Sequence, residues 1–315
     1  MPTKILGLLT LLTMSAPLLA QNQTVADLIA PYPLPVQYAT ASEDVQVAYI
    51  KTGQGETTLI FVHGLGSYVR GWEKTWPAFA NSYQCIALDL PGFGRSSKGA
   101  YSQSMAFYRD AILAVMDAEN IQQAILVGHS MGGQASLYTA LENPDRVLAL
   151  ALSAPAGIET FTEQEATALR NAYTPETYGG MVEAQVRYSY GLNFHVWQED
   201  AEPWVADRLA MREADDFQGF ATAWVKSVGG MLDSPVYARL GEIMQPVWVA
   251  YGAEDQLIPN RYLHTTLTTE GVGGLAKAAM PQAEVQLIPD AGHFVHFEQS
   301  EEFNSRLLMF LKTIQ

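Results

Sequence analysis

A single cysteine, Cys85, stands in a chain of 315 residues. One thiol excludes an intramolecular disulfide framework. Its neighbours, Tyr83-Gln84-Cys85-Ile86-Ala87-Leu88, read as a buried strand, so the thiol is expected in the core rather than at a reactive surface. Charge is sparse as well. Asp, Glu, Lys and Arg make up 16% of the residues, with no long like-charged run, while 48% are hydrophobic. That balance excludes extensive disorder and supplies material for a large core. Basic residues are the scarcer sign, 18 against 33 acidic, and a net charge of −15 disfavours nucleic acid and anionic membranes as partners. No stretch beyond residue 20 is long and apolar enough to span a bilayer, and no internal repeat or low-complexity tract is visible.

The N-terminus carries a different signal. Residues 1–4 are short and positively charged, and residues 5–20 are apolar with small residues near the end. This is the tripartite form of a secretory signal peptide, with cleavage expected near Ala20. The expected location is therefore secreted or periplasmic, without stable membrane insertion once the signal is removed. The alternative is an uncleaved anchor, for which the apolar run is short. Export with one cysteine fits a bacterial periplasm or medium better than a eukaryotic ectodomain.

Beyond the signal, short apolar runs alternate with helical spacing. Residues 45–51 alternate as a strand does, and 58–62, 85–90, 124–127, 147–152, 247–251 and 284–288 are short apolar runs. Residues 104–120 place Ala106, Ala111, Ile112, Val115 and Met116 on one helical side, and further helices are expected after Ser130 and over 301–312. The alternation predicts parallel strands joined by crossover helices. Residues 158–244 break the pattern. They lack strand-like runs, carry helical patterns at 203–211 and 217–231, and are rich in aromatics: Tyr173, Tyr178, Tyr188, Tyr190, Phe194, Trp197, Trp204, Phe217, Phe220 and Trp224. The segment reads as a helical insertion in a core made of 21–157 and 245–315. Packing is the expected role for most of these aromatics, and pocket lining for a minority.

The sharpest motif is Gly128-His129-Ser130-Met131-Gly132, followed by Gly133, between a buried strand and a helix. A sharp strand-to-helix turn forces its serine into a strained backbone, and flanking glycines let the chains pass without β-carbon clashes. The turn lifts a hydroxyl above the sheet edge and sets the next amide at a helix N-terminus, where a developing anion is stabilised. Ser130 is thus the candidate nucleophile, and it needs a base. Of six histidines, His63 lies in a Gly-rich loop, His129 within the turn, His195 in the insertion and His264 in a helix-like stretch after Pro259. His293 follows the last strand, where it can reach across the sheet edge; His296 is expected to pack or hydrogen-bond. A metal site from His293, His296 and Glu298 is the competing idea, but it lacks the usual i, i+4 pair. The orienting acid is Asp255, just past the strand ending at Tyr251, with Glu254 and Asp290 as rivals. Two backbone donors, the amides of Leu65 in His63-Gly64-Leu65-Gly66 and of Met131, would hold an oxyanion.

These pieces, with Asp89-Leu90-Pro91-Gly92-Phe93-Gly94-Arg95-Ser96, Gly252-Ala253-Glu254-Asp255 and Gly292-His293, resemble the α/β-hydrolase superfamily, in its branch of cap-bearing serine hydrolases. The resemblance runs from about residue 45 to the C-terminus and shares the order Ser130, Asp255, His293. It implies an α/β fold with a mostly parallel central sheet flanked by helices, and a helical cap inserted after the sixth strand. It also implies that 89–96 is a structural turn. One departure is residues 265–280, with Gly271, Gly273 and Gly274, which look longer than the family pattern between acid and histidine. The expected activity is cleavage of small carboxylic esters through an acyl-enzyme, with no metal or organic cofactor. Carbon–carbon bond hydrolysis and aminopeptidase activity are alternatives, the last drawing on Glu183, Glu199 or Glu213 for a free amine. A ligand-binding protein that lost catalysis is the alternative from another class.

Overall fold

Short segments, the central ones largely apolar, form one sheet in the computed structural model, which describes residues 22–314. The eight strands are β1 (Val36–Ser42), β2 (Val45–Thr52), β3 (Thr58–Val62), β4 (Gln84–Leu88), β5 (Ala124–His129), β6 (Val147–Ser153), β7 (Val247–Gly252) and β8 (Glu284–Ile288). Their order is β1-β2-β4-β3-β5-β6-β7-β8. β2 pairs antiparallel with both β1 and β4, and every pairing from β4 to β8 is parallel. The signal segment predicted over residues 1–20 lies outside the described residues.

Continuous apolar character is explained by burial on both faces. Ile60 and Val62 of β3 join one hydrophobic cluster, while Leu59 and Phe61 join the cluster on the opposite face. Helices cover each face. The helix Met105–Ala118 begins at Ser104, whose hydroxyl accepts the Phe107 N–H at 3.2 Å. It buries Met105, Tyr108, Ala111, Ile112, Val115 and Met116. Ala106, expected on that face, is half-buried instead, with Met105 and Tyr108 in its place. Cys85 is buried, and burial pushes its thiol pKa up to about 12.

Three further differences from expectation have clear causes. β1 escaped notice because it is an edge strand in which only Ala39 is buried, so no apolar run marks it. The glycine-bearing stretch 265–280 contains the helix Thr269–Ala279, capped by Thr268, whose hydroxyl accepts the Gly271 N–H at 3.1 Å. It is the crossover from β7 to β8, and this helix accounts for the length of the stretch. His264 sits in the turn before that helix, not in a helix.

Parallel strands share a C-terminal edge, and the connections that leave it are where ligands gather in open α/β sheets. The chain leaves that edge after β6 and returns to the sheet at the opposite edge, where β7 begins. Every regular element between is helical, including Glu163–Arg170, Glu183–Gly191, Glu202–Ala210 and Phe217–Asp233.

Candidate active site

Ser130 joins β5 to the helix Met131–Glu142 with φ 51° and ψ −118°, a conformation that side-chain-bearing residues avoid. The surroundings hold it there. Its N–H donates to Ser153 of β6 at 3.0 Å, and its carbonyl accepts from Ala156 and Gln134 at 3.0 and 3.1 Å. A β-carbon on Gly132 would lie 2.3 Å from the Val62 carbonyl oxygen, so only glycine lets the turn pass β3. The Met131 amide opens the 12-residue helix, and among the described residues neither it nor the Leu65 amide meets a backbone acceptor in the turns around it.

Asp255 and His293 are brought together. Asp255 Oδ2 accepts from His293 Nδ1 at 2.8 Å, and its side chain is fully buried. Its other oxygen, Oδ1, accepts the Leu257 and Ile258 amides at 2.8 and 3.0 Å, which fixes the carboxylate plane. The rival Asp290 is exposed at the surface. His293 and Ser130 open onto one cavity of about 620 Å³ at the C-terminal edge of the sheet. Leu65 lines the same space.

The remaining histidines near the edge are engaged elsewhere. His129 Nε2–H donates to the His293 carbonyl at 3.1 Å, and burial, reinforced by His296 and His293, holds its pKa well below the ordinary range. His296 shares a 2.9 Å hydrogen bond between Nδ1 and Ser153 Oγ, and burial lowers its pKa to about 3. His63 accepts the Leu90 N–H through Nε2 at 2.9 Å and donates from Nδ1 to the Gly64 carbonyl at 2.7 Å; burial takes its pKa to about 4. Glu298 accepts three backbone amides, from Gly292, His195 and Val196. The Glu298 carboxylate is thus taken up by backbone donors, and His293, His296 and Glu298 form no group that could hold a metal among the described residues. Asp89 is buried and accepts from Tyr32, Val69 and Arg95, closing the turn at 89–96.

The helical segment supplies most of the cavity wall. Six of the twelve aromatics in residues 158–244, Phe161, Tyr173, Tyr178, Tyr190, Trp204 and Trp224, line the cavity, more than the minority expected. Glu183, Glu199 and Glu213 do not line it and are exposed. The carboxylates that do are Glu159 and Glu163, which no local pattern singled out. Arg208 is the other omission. It is 2% exposed, donates from one terminal nitrogen (NH2) to the Tyr178 carbonyl at 2.9 Å, and stacks its guanidinium 4.9 Å from the Phe217 ring. Its second terminal nitrogen has no hydrogen-bond partner among the described residues.

This fold and constellation place the protein in a known class. The chain matches the alpha/beta hydrolase fold family over residues 57–300 and belongs to that family. It is 29% identical over 320 residues to the dihydrolipoyllysine-residue acetyltransferase component of the acetoin cleaving system of Cupriavidus necator, covering 96% of this chain and 79% of that one. It is also 29% identical over 280 residues to a 2-hydroxy-6-oxononadienedioate/2-hydroxy-6-oxononatrienedioate hydrolase of Paraburkholderia phymatum, covering 85% of this chain and 91% of that one. Among solved structures, a probable hydrolytic enzyme from Pseudomonas aeruginosa superposes with a TM-score of 0.81 at 23% identity, covering 92% of this chain and 98% of the other.

Proposed function

We propose that the protein is a serine hydrolase that cleaves carboxylic esters through Ser130, His293 and Asp255. The observation that carries this reading is the 2.8 Å bond from His293 Nδ1 to a buried Asp255 carboxylate, beside a cavity that the strained Ser130 also faces. A carboxylate on Nδ1 fixes the tautomer that leaves Nε2 free to take a proton. In this reading His293 removes the Ser130 proton as Oγ attacks the ester carbonyl, and the Leu65 and Met131 amides hold the resulting oxyanion. The imidazolium, steadied by Asp255, protonates the departing alcohol, and water repeats the sequence on the acyl-enzyme. No step calls for a metal or organic cofactor. An apolar wall including Leu169, Val228, Met231 and Leu232 suits the carbon chain of a neutral ester.

Carbon–carbon bond hydrolysis is the second reading, and Arg208 is the observation that favours it. A buried guanidinium with an unused donor suits a substrate carrying a carboxylate, and the substrate named for the Paraburkholderia relative is a dioate. The three glutamates that the aminopeptidase alternative drew on stand away from the cavity, and Glu159 and Glu163 line it in their place.

One experiment separates these readings. A fluorophosphonate probe should label wild-type protein and leave Ser130→Ala unlabelled. A panel of p-nitrophenyl esters and a ring-cleavage dienoate then ranks the two hydrolytic activities. A wild-type protein that stays unlabelled points to the non-catalytic alternative. Export past the inner membrane belongs to the same proposal and rests on residues 1–20; a mature N-terminus at Gln21, read by mass spectrometry, is the expected result.

A further inference from the structure

Two carboxylates outside the proposed reacting set join the helical segment to the loops that carry Asp255 and His293. Glu159 lies six residues past the end of β6 and four residues before the helix Glu163–Arg170; it is 8% exposed. Both its oxygens accept the Asn260 amide, at 2.8 and 3.1 Å, and Oε1 also meets His264 Nδ1. The segment between is short and internally tied. Asp255 Oδ1 holds the Leu257 and Ile258 amides, and Asn260 Oδ1 holds those of Tyr262 and Leu263 at 3.1 Å. Phe161 stacks on the His264 ring at 5.2 Å from the same side. Asp255 is therefore fixed to a loop whose far end is fixed to Glu159.

Glu298 makes the matching connection to the histidine. It ends the short helix Val295–Glu298, five residues past His293. Oε2 accepts the Gly292 amide at 2.8 Å and the His195 amide at 3.0 Å, while Oε1 accepts Val196 at 2.7 Å. His195 and Val196 belong to the helical segment, and Gly292 is the residue before His293. The two chains touch so closely there that a β-carbon on Gly292 would lie 2.6 Å from the His195 nitrogen. The Phe294 amide adds a bond to the Asn193 carbonyl at 3.0 Å.

We infer that Glu159 and Glu298 are positioning residues: they make the placement of Asp255 and His293 depend on the seating of the helical segment over the cavity. This rests on the reading of Ser130, His293 and Asp255 as the reacting groups. Neither glutamate needs to touch substrate. Their loss should therefore appear in the chemical step and leave substrate affinity nearly untouched, because displacing a reacting group by about 1 Å costs on the order of 100-fold in rate. The two sites also differ in what can replace them. At 159 a glutamine oxygen can still accept the Asn260 amide. At 298 all three partners are N–H donors divided between two oxygens, so a glutamine would aim its NH2 at one of them.

The test combines fluorophosphonate labelling rates with kcat and KM on p-nitrophenyl acetate for wild type, Glu159→Ala, Glu159→Gln, Glu298→Ala and Glu298→Gln, with folding checked by circular dichroism and Tm. Folded Glu159→Ala, Glu298→Ala and Glu298→Gln should lose ten- to a hundredfold in kcat and labelling rate, with KM within threefold. Glu159→Gln should keep at least a third of wild-type kcat. Should an alanine variant fail to fold, the two glutamine variants decide between the outcomes. The inference is overturned if folded variants react at the wild-type rate, if the loss falls on KM alone, or if Glu298→Gln keeps activity while Glu159→Gln loses it. A wild-type protein that never labels overturns the reading of Ser130 itself, and the inference with it.

Discussion

Trp224 leaves no room for a β-carbon at Gly66. An added carbon would lie 2.9 Å from the indole Cδ1 and 3.0 Å from Nε1, at a residue with φ 72°. Trp224 is in turn stacked on Tyr178, 4.1 Å between ring centres and 11° from parallel. The indole thus presses on the residue next to Leu65, whose amide is one proposed oxyanion donor. Gly66→Ala should shift that loop and reduce kcat on a neutral ester about tenfold or more, with a smaller effect on KM. Steady-state kinetics check this; an unchanged kcat in folded protein would show that the Leu65 amide is not used.

Asp255 accepts on both oxygens, from His293 on one side and from the Leu257 and Ile258 amides on the other. An amide cannot serve both sides, since one of its two groups is a donor. Asp255→Asn is expected to keep the fold and reduce kcat roughly 10³- to 10⁴-fold, by favouring the wrong imidazole tautomer or releasing the loop. Kinetics beside a thermal melt separate this outcome from simple unfolding. A loss below tenfold would mean that another group orients His293.

Arg208 offers a direct reading of substrate charge. Methionine at this position keeps much of the stem packing and removes the guanidinium. If the cavity takes neutral esters, Arg208→Met should change kcat/KM on p-nitrophenyl acetate by no more than about threefold. A monoester of a dicarboxylic acid should instead lose roughly ten- to a hundredfold, mostly in KM. Equal losses on both substrates would assign Arg208 to packing against Tyr178, Phe217 and Phe220 alone.

Buried neutral histidines set an acid limit on stability. His63 and His296 are lowered to about 4 and about 3, and His129 is well below its ordinary value, all chiefly by burial. The unfolded chain binds these protons below about pH 6.5, whereas the folded protein does not until far lower. Unfolding therefore takes up protons, and stability is present above pH 6.5 and lost as pH falls toward 4 and 3. Burial raises the carboxyls of Glu73, Asp89 and Glu159, which acts in the opposite sense. Between pH 7 and pH 6 the three histidines contribute a fall of roughly 2 kcal/mol. Calorimetric Tm values at the two pH values test this; a Tm that holds or rises at pH 6 contradicts it.

Legibility in the sequence followed the range of the forces involved. Five of the seven strands read from the sequence were visible because burial on both faces leaves contiguous apolar runs such as Thr58–Val62 and Ala124–His129. Ser130 was visible because its strain is local and demands glycine within a few residues. β1 was hidden because its burial pattern has a single buried position, Ala39. Residues 265–280 looked longer than the family pattern, and they hold the helix Thr269–Ala279, which packs so near β8 that a β-carbon on Gly273 would meet Val285 at 3.1 Å. Glu159 and Arg208 were illegible for another reason. Their partners lie about 100 and 30 residues away, so no spacing along the chain marks them.

The route of the chain between β6 and β7 sets a limit on redesign. The two strands are parallel neighbours, with Leu150 opposite Val247 and Ser153 opposite Ala250. Exit from one and entry to the other therefore lie at opposite ends of the sheet. The helices that roof the cavity are also the only covalent path down its side, so they are not a detachable module. Splicing them out with a two-residue join, as one would trim a hairpin, would reverse β7 rather than uncover Ser130. A roofless enzyme, or a chimera carrying another protein's roof, has to keep a descending arm such as Tyr237–Glu242 to deliver β7 in register.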